Sequence, residues 1–249
     1  MGICLFLYFL QEKIIFYPQQ LPKEYTFQFD QPFEELTIRT SDQVDLHGLL
    51  FKSPQPKGLI FYLHGNAGSL DSWGWVASDY TDLGYDAFFL DYRGFGKSEG
   101  VISCEDQFLS DIDLAYQYIA NEYDEKQIVI LGYSLGTGPA AYLASRYNPK
   151  QLILQAPYYS LLDMKNRTFP FVPNIALKYK LETNEYLKEV HAPVTIFHGL
   201  EDEVIYFGSG LKLKPLLKAT DQLIGLKGQG HNDMSSNQEY KEEIGKLLK

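Results

Sequence analysis

The stretch Gln127-Ile-Val-Ile-Leu-Gly-Tyr-Ser-Leu-Gly-Thr-Gly-Pro-Ala-Ala-Tyr-Leu143 holds the residues best placed to do chemistry. An apolar run, Ile128–Leu131, leads into Gly132-Tyr133-Ser134-Leu135-Gly136, and a small-residue, helix-forming stretch follows. A serine at such a strand-to-helix junction sits on a sharp, strained turn with its hydroxyl exposed. Gly132 and Gly136 let the two backbones pass closely on either side. The helix start behind the serine also favours negative charge developing there. Ser134 is therefore the candidate nucleophile for an acyl transfer. The competing reading is a glycine-rich turn without chemistry, and the strand before and helix after weigh against it.

A serine hydroxyl is a weak nucleophile and needs a base. The chain offers five histidines. Where such a turn is built into a doubly wound sheet, nucleophile, acid and base follow in that order along the chain. His47 and His64 precede Ser134, and His191 stands before Pro193 at a strand entry, a structural position. His198 ends the strand Val194–Phe197 and is the second candidate. His231, in Gly228-Gln-Gly-His-Asn-Asp233, follows the last strand signal in a loop and is the favoured base. The acid must fix the imidazole tautomer and stabilise the imidazolium. Asp202, in His198-Gly-Leu-Glu-Asp-Glu203 after a buried strand, is favoured. Asp163 is the second candidate, with a cap for a helix as its plainer reading.

An oxyanion needs backbone N–H donors. One is expected from Leu135. The other is expected from the loop His64-Gly-Asn-Ala-Gly-Ser69, through Asn66 or the neighbouring Ala67. Tyr92-Arg-Gly-Phe-Gly-Lys-Ser98 ends like a phosphate-binding loop, but position 91 is Asp where that motif requires Gly. It reads as a structural turn near the edge of the site.

The elements that must position these residues follow from periodicity. Leu36–Thr40 and Leu46–Lys52 alternate apolar and polar, with Ser41-Asp42 between them, and predict an antiparallel hairpin. Gly58–Leu63, Tyr85–Leu90, Ile128–Leu131, Leu152–Leu154 and Val194–Phe197 are continuous apolar runs, as in strands covered on both faces. Leu223–Leu226 is a weaker one. Helical spacing appears at 105–121, with Ser103 a candidate N-cap, and at 135–147 and 235–248. The alternation predicts an α/β fold: a doubly wound, mostly parallel eight-stranded sheet flanked by helices. Residues 158–190 break the rhythm with Pro170, Pro173 and several aromatics, and read as a cap inserted over the sheet. Tyr158, Tyr159, Phe169, Phe171, Ile175 and Leu177 are candidates for an apolar substrate pocket there.

The 249 residues fit one large α/β domain, 18–249, preceded by an apolar segment, 1–17. With 22 basic and 32 acidic residues, the net charge is −10, and no basic run occurs. The acidic balance argues against nucleic acid and anionic lipid as main partners, since both need clustered Lys and Arg. Cys4 and Cys104 read as free thiols, weakly implying a reducing compartment. No Cys/His cluster suggests a metal, and no cofactor is implied. Met1–Leu10 is apolar but too short to span a bilayer, and it lacks the features of a secretory signal. Gly2 fits a myristoylation signal, but Phe6 stands where Ser or Thr is expected. The segment is expected either to dock on the domain or to serve as a short membrane anchor, with the anchor favoured. The chain is thus expected to be membrane-associated through its N-terminus, or cytoplasmic.

Leu63-His-Gly-Asn-Ala-Gly68, Asp91-Tyr-Arg-Gly-Phe-Gly-Lys-Ser98, Gly132-Tyr-Ser-Leu-Gly136, His198-Gly-Leu-Glu-Asp202 and Gly230-His231, in this order, resemble the α/β-hydrolase superfamily over residues 14 to 248. The His-Gly-Asn-Ala-Gly form looks like a subgroup of small, often membrane-anchored serine hydrolases. That subgroup includes Bem46-like proteins and is related to protein depalmitoylases. The resemblance implies Ser134, Asp202 and His231 as nucleophile, acid and base. Members often begin with a fuller apolar anchor than this chain has. The expected activity is hydrolysis of carboxylic esters or thioesters of a small-molecule or lipid-like acyl substrate. A serine peptidase of the same fold, and a catalytically silent interaction protein, are the alternatives. Acyl length, leaving group and oligomeric state are left open by the sequence.

Overall fold

The computed structural model describes residues 2–249, and the side chains of Tyr8 and residues 10–249. Its main sheet has eight strands: β1 Phe33–Arg39, β2 Asp45–Phe51, β3 Leu59–Leu63, β4 Asp86–Leu90, β5 Ile128–Tyr133, β6 Gln151–Gln155, β7 Val194–Gly199 and β8 Gln222–Leu226. Their spatial order is β8-β7-β6-β5-β3-β4-β2-β1. The β1–β2 and β2–β4 pairs are antiparallel and the rest parallel. Every residue of β3, β4, β5, β6 and β7 is buried, which is why these strands carry no polar alternation. Edge strand β1 alternates, burying Ile38 and exposing Thr37 and Arg39. The expected mostly parallel eight-stranded sheet is the one observed.

Seven helices are used below: α1 Gly2–Ile15, α2 Glu105–Ala120, α3 Thr137–Arg146, α4 Leu161–Thr168, α5 Thr183–Leu187, α6 Gly208–Leu213 and α7 Gln238–Leu247. Successive strand residues face opposite ways, so each buried strand feeds two cores. Phe61, Phe88 and Ile130 pack with Phe108 and Ile112 of α2 and Ala140 of α3 on one face. Ile60, Tyr62, Phe89 and Val129 pack with Leu70, Tyr80 and, from α7, Tyr240 and Ile244 on the other.

Helix α2 begins at Glu105, where its periodicity starts, but Ser103 is not its N-cap. Cys104 occupies the N-cap position and makes no side-chain cap bond. Ser103 lies one residue upstream, with both its N–H and its hydroxyl bonded to Gln107 Oε1 (2.9 and 3.0 Å). Cys104 is a free, exposed thiol, whereas the side chain of Cys4 lies outside those described.

Residues 158–190 hold α4, a short turn at Asn174–Ala176 and α5. Helix α4 starts at a capping serine, whose Ser160 Oγ accepts the Asp163 N–H at 3.0 Å. The last turn of α1 docks on this insertion. Gln11 donates from Nε2 to Ala176 O (2.5 Å) and accepts the Lys178 N–H on Oε1 (2.8 Å). Glu12 accepts from Lys178 Nζ (2.9 Å) and from the Tyr179 hydroxyl (3.0 Å). Among the described residues, no helix is long and apolar enough to cross a membrane.

Candidate active site

Strand β5 ends at Tyr133, and Ser134 then takes a left-handed backbone conformation, φ +50°. A non-glycine residue there is strained, and such strain persists only where the surroundings enforce it. The flanking glycines do so. A Cβ on Gly132 would sit 2.4 Å from Gly136 O, and one on Gly136 would sit 2.1 Å from Leu63 O. Any side chain at either position would push β5, the turn and β3 apart.

Ser134 Oγ lies 3.0 Å from His231 Nε2, and His231 Nδ1 lies 2.9 Å from Asp202 Oδ2. The three residues come from the carboxyl ends of β5, β7 and β8. All three are buried, each with 7 % of its surface accessible. An ionised Asp202 requires the proton on Nδ1, which leaves Nε2 free to accept the serine proton. Asp202 is itself held in place, since its Oδ1 accepts the Val204 and Ile205 N–H groups at 2.9 and 2.7 Å. Burial pushes its carboxyl up. Hydrogen bonds with His198, His231 and the Ile205 amide outweigh that and hold it well below the usual carboxylate range. The loop carrying His231 is fixed by its carbonyl, which accepts from the Tyr133 hydroxyl, and by its N–H, which donates to Glu203 Oε2 at 3.3 Å.

The second candidates lie elsewhere. His198 is fully buried behind Asp202. Its Nε2 is 2.7 Å from Ile205 O and 3.5 Å from Asp202 Oδ2, so it buttresses the acid and does not meet the serine. Asp163 is in the first turn of α4 and pairs with Lys212 Nζ at 2.6 Å.

The loop after β3 lies beside Ser134. The Asn66 N–H has no acceptor within the protein among the described residues, and Leu135 follows Ser134 in the short turn Ser134–Gly136. The segment following α1 braces this loop. Tyr17-Pro18 pairs in parallel with Ala67-Gly68, and Asn66 Oδ1 accepts the Tyr17 N–H at 3.2 Å. Trp73 Nε1 donates to Ala67 O at 2.8 Å, and the Tyr92 hydroxyl to His64 O at 2.8 Å. His64 is fully buried, with Nδ1 2.7 Å from Gly65 O, and burial pushes its pKa down to about 4. Residues 92–98 form a structural turn. Arg93 is clamped between Asp111 (2.7 and 2.8 Å) and Asp42 (2.8 and 3.0 Å), and Ser98 Oγ donates to Asp91 O at 2.7 Å.

Above Ser134 and His231 opens a cavity of about 480 Å³ with mainly apolar walls. Leu161, Met164, Phe169 and Leu177 of the cap line one side, Trp73 and Ile205 another, and Gln11, Ile14 and Ile15 of α1 close a third. Of the expected pocket residues, Phe169 and Leu177 are in the wall. Tyr158 reaches it too, but is 1 % exposed, and its hydroxyl donates to Leu135 O (3.0 Å) and accepts the Gly138 N–H (3.1 Å). It supports the turn at Ser134. Tyr159 is not in the wall. Its N–H goes to Ser209 Oγ (2.7 Å) and its ring lies under Lys212, because the chain reverses there toward α6. Phe171 and Ile175 point to solvent, 75 % and 92 % exposed. The α1 wall was missed because an apolar N-terminus carries no sign of which surface it covers. Trp73 and Met164 were missed because aromatic and apolar residues belong more often to cores.

A serine, a histidine and an aspartate hydrogen-bonded in series at the carboxyl end of a mostly parallel sheet define a hydrolase of the doubly wound class. Residues 54–184 match the family model described as serine aminopeptidase, S33. Alpha/beta hydrolase domain-containing protein 17B of Xenopus tropicalis is 33% identical over 208 residues, covering 79% of this chain and 68% of that protein. Mouse protein 17C is 32% identical over 202 residues, covering 79% of this chain and 61% of the relative, so the chain spans about three fifths of that relative. Among solved structures, an esterase from Pyrococcus furiosus superposes with a TM-score of 0.74 at 19% identity, covering 94% of this chain and 97% of that one. An esterase from Exiguobacterium antarcticum gives 0.68 at 18% identity, covering 86% and 99%. The chain belongs to the α/β-hydrolase family.

Proposed function

We propose that the protein hydrolyses carboxylic esters or thioesters of apolar acyl groups through an acyl-enzyme on Ser134. The observation that carries this is the hydrogen-bonded series Ser134–His231–Asp202 at the floor of an apolar cavity. His231 Nε2 takes the serine proton as Oγ attacks the acyl carbonyl. The developing oxyanion accepts from the Leu135 and Asn66 N–H groups. The imidazolium, steadied by Asp202, then protonates the leaving alkoxide or thiolate. Water, deprotonated by the same histidine, attacks the acyl-enzyme and releases the acid.

The description of the matched family model raises an aminopeptidase as the second reading. Such an enzyme needs a carboxylate to hold a substrate ammonium group. Among the described residues the cavity is lined by no Asp or Glu, and its one lysine, Lys165, turns its Nζ to Val172 O and Asn174 Oδ1. The apolar wall favours the acyl ester. A fluorophosphonate probe is expected to label Ser134. Ser134→Ala is expected to abolish both labelling and turnover of a nitrophenyl ester. Undiminished turnover in that variant overturns the assignment, and faster cleavage of aminoacyl amides than of esters turns it to the peptidase.

A further inference from the structure

Asp91, just past the end of β4, is fully buried and meets both ends of the loop that carries Asn66. Its Oδ1 accepts the Leu70 N–H at 3.1 Å and lies 3.8 Å from His64 Nε2. Its Oδ2 has no hydrogen-bond partner among the described residues, and Gly96 packs so closely there that a Cβ would stand 1.9 Å from it. Facing Oδ2 at 3.7 Å is Nδ1 of buried His47, on β2, which has no partner either.

The tautomers of the two histidines follow from their other contacts. His47 Nε2 lies 2.9 Å from Glu35 Oε2, which also accepts from Lys97 Nζ at 2.6 Å, so Nε2 carries a proton. His64 Nδ1 donates to Gly65 O. Each neutral ring therefore turns a bare nitrogen toward the Asp91 carboxylate, acceptor against acceptor in a buried site, which is costly to leave unsatisfied. One added proton between His47 Nδ1 and Asp91 Oδ2 gives both atoms a partner and leaves Oδ1 to hold the Leu70 N–H. Burial pushes the Asp91 carboxyl up to about 6, against the opposing pull of His47. The other charges around the pair are engaged elsewhere. Glu35 of β1 pairs with Lys97 on the far side of His47, and Arg93 is clamped by Asp42 and Asp111. Asp71, bonded to Ser69 Oγ at 2.6 Å, adds negative charge from the loop, and the Tyr92 hydroxyl is directed to His64 O.

We propose that His47 and Asp91 share one buried proton, and that this proton positions the oxyanion loop 64–70. Both are positioning residues: they act through Leu70 and His64 on the Asn66 N–H and do not touch substrate. With the proton bound, Asp91 is tied to β2 on one side and to the loop on the other, and the charge-assisted bond closes the gap to about 2.7–2.9 Å. With the proton lost, a carboxylate faces two bare nitrogens, and repulsion from His64 Nε2 displaces the start of the loop. The proton belongs to the pair, so it leaves in a step that neither residue owns alone. The catalytic consequence rests on the proposed hydrolysis, whereas the proton site does not. His231 must lose a proton to act and the pair must keep one, so the two form opposite limbs of the pH profile.

The test is a pH titration of the full chain followed by NMR, with steady-state kinetics on a nitrophenyl ester alongside. In wild type the His47 ring and the Asn66 and Leu70 amides are expected to shift with one common midpoint. Above it kcat is expected to fall about tenfold per pH unit, with KM little changed. Asp91→Asn offers His47 Nδ1 an amide N–H and Leu70 a carbonyl oxygen, neither of which titrates. The common shift and the alkaline limb are expected to disappear in that variant, while the acid limb of His231 stays. Asp91→Ala, which lacks both groups, is expected to lose about tenfold in kcat across the range, and thermal melting controls for its folding. Loop amides that do not move with His47 overturn the proposal, as does an alkaline limb that survives Asp91→Asn. The common shift in a chain that turns over no ester at any pH sinks the hydrolytic reading and leaves the proton site standing.

Discussion

Tyr158→Phe separates a residue that touches substrate from one that builds the site. The hydroxyl is the only group removed, and the ring volume stays. In the folded protein that hydroxyl donates to Leu135 O at 3.0 Å and accepts the Gly138 N–H at 3.1 Å. The residue is 1 % exposed, so water does not replace either bond. Leaving two buried backbone groups with a poorer partner costs about 2–3 kcal/mol. For a domain of this size that is a fall in melting temperature of about 5–10 °C. Leu135 is also the proposed oxyanion donor, and a shift of its peptide weakens a bond made mainly in the transition state. The expected kinetic loss is about tenfold in kcat, with KM little changed. Thermal melting and steady-state kinetics on one short-chain ester measure both. An unchanged melting temperature with a raised KM would refute the reasoning and return Tyr158 to the substrate wall.

Three further outcomes follow from the same geometry. Asp202→Asn keeps the acceptor for the Val204 and Ile205 amides but turns an N–H toward His231 Nδ1, forcing the wrong tautomer. A loss of about 10⁴ in kcat is expected, and retention of a tenth of the activity contradicts the assigned acid. Met164→Trp adds bulk to the cavity wall, so long-chain esters are expected to lose about tenfold or more in kcat/KM while acetyl esters do not; an equal loss at every chain length places the acyl group elsewhere. His64 is held near pKa 4 when folded against an ordinary 6.5. Its contribution to stability is complete above pH 6.5 and is lost as the pH falls toward 4, a change of about 3 kcal/mol. Buried Asp91, pushed up to about 6 from 3.8, tilts stability the other way within that window. Melting of His64→Gln and wild type between pH 4 and 7 isolates the histidine, and parallel profiles would show that it takes up its proton equally in both states and refute the depressed pKa.

The strands were legible because burial on both faces leaves an uninterrupted apolar run, as in Leu59–Leu63 and Val194–Phe197. Ser134, Asp202 and His231 were legible because strand ends and chain order constrain them, and the structure brings the three together. The cap was not. Its walls are formed by α4 and by the distant α1, and no local period tells an acyl-facing Met164 from a core methionine. Tyr159 looked like a pocket residue beside Tyr158, yet one step along the chain turns its ring toward Lys212. Ser103 carried an N-cap signal, but its hydroxyl and amide found Gln107 instead of the helix end.

The docked end of α1 places two events in thermodynamic competition. Gln11, Ile14 and Ile15 wall the cavity, while the segment upstream of them is apolar. Any molecule that fills the cavity and touches those residues gains affinity from the docked helix, and so holds the helix down. Any phase that draws the helix off the cap must weaken that molecule's binding by the same factor. Occupancy of the pocket and release of the helix end from the cap are therefore reciprocal, and measuring one reports on the other.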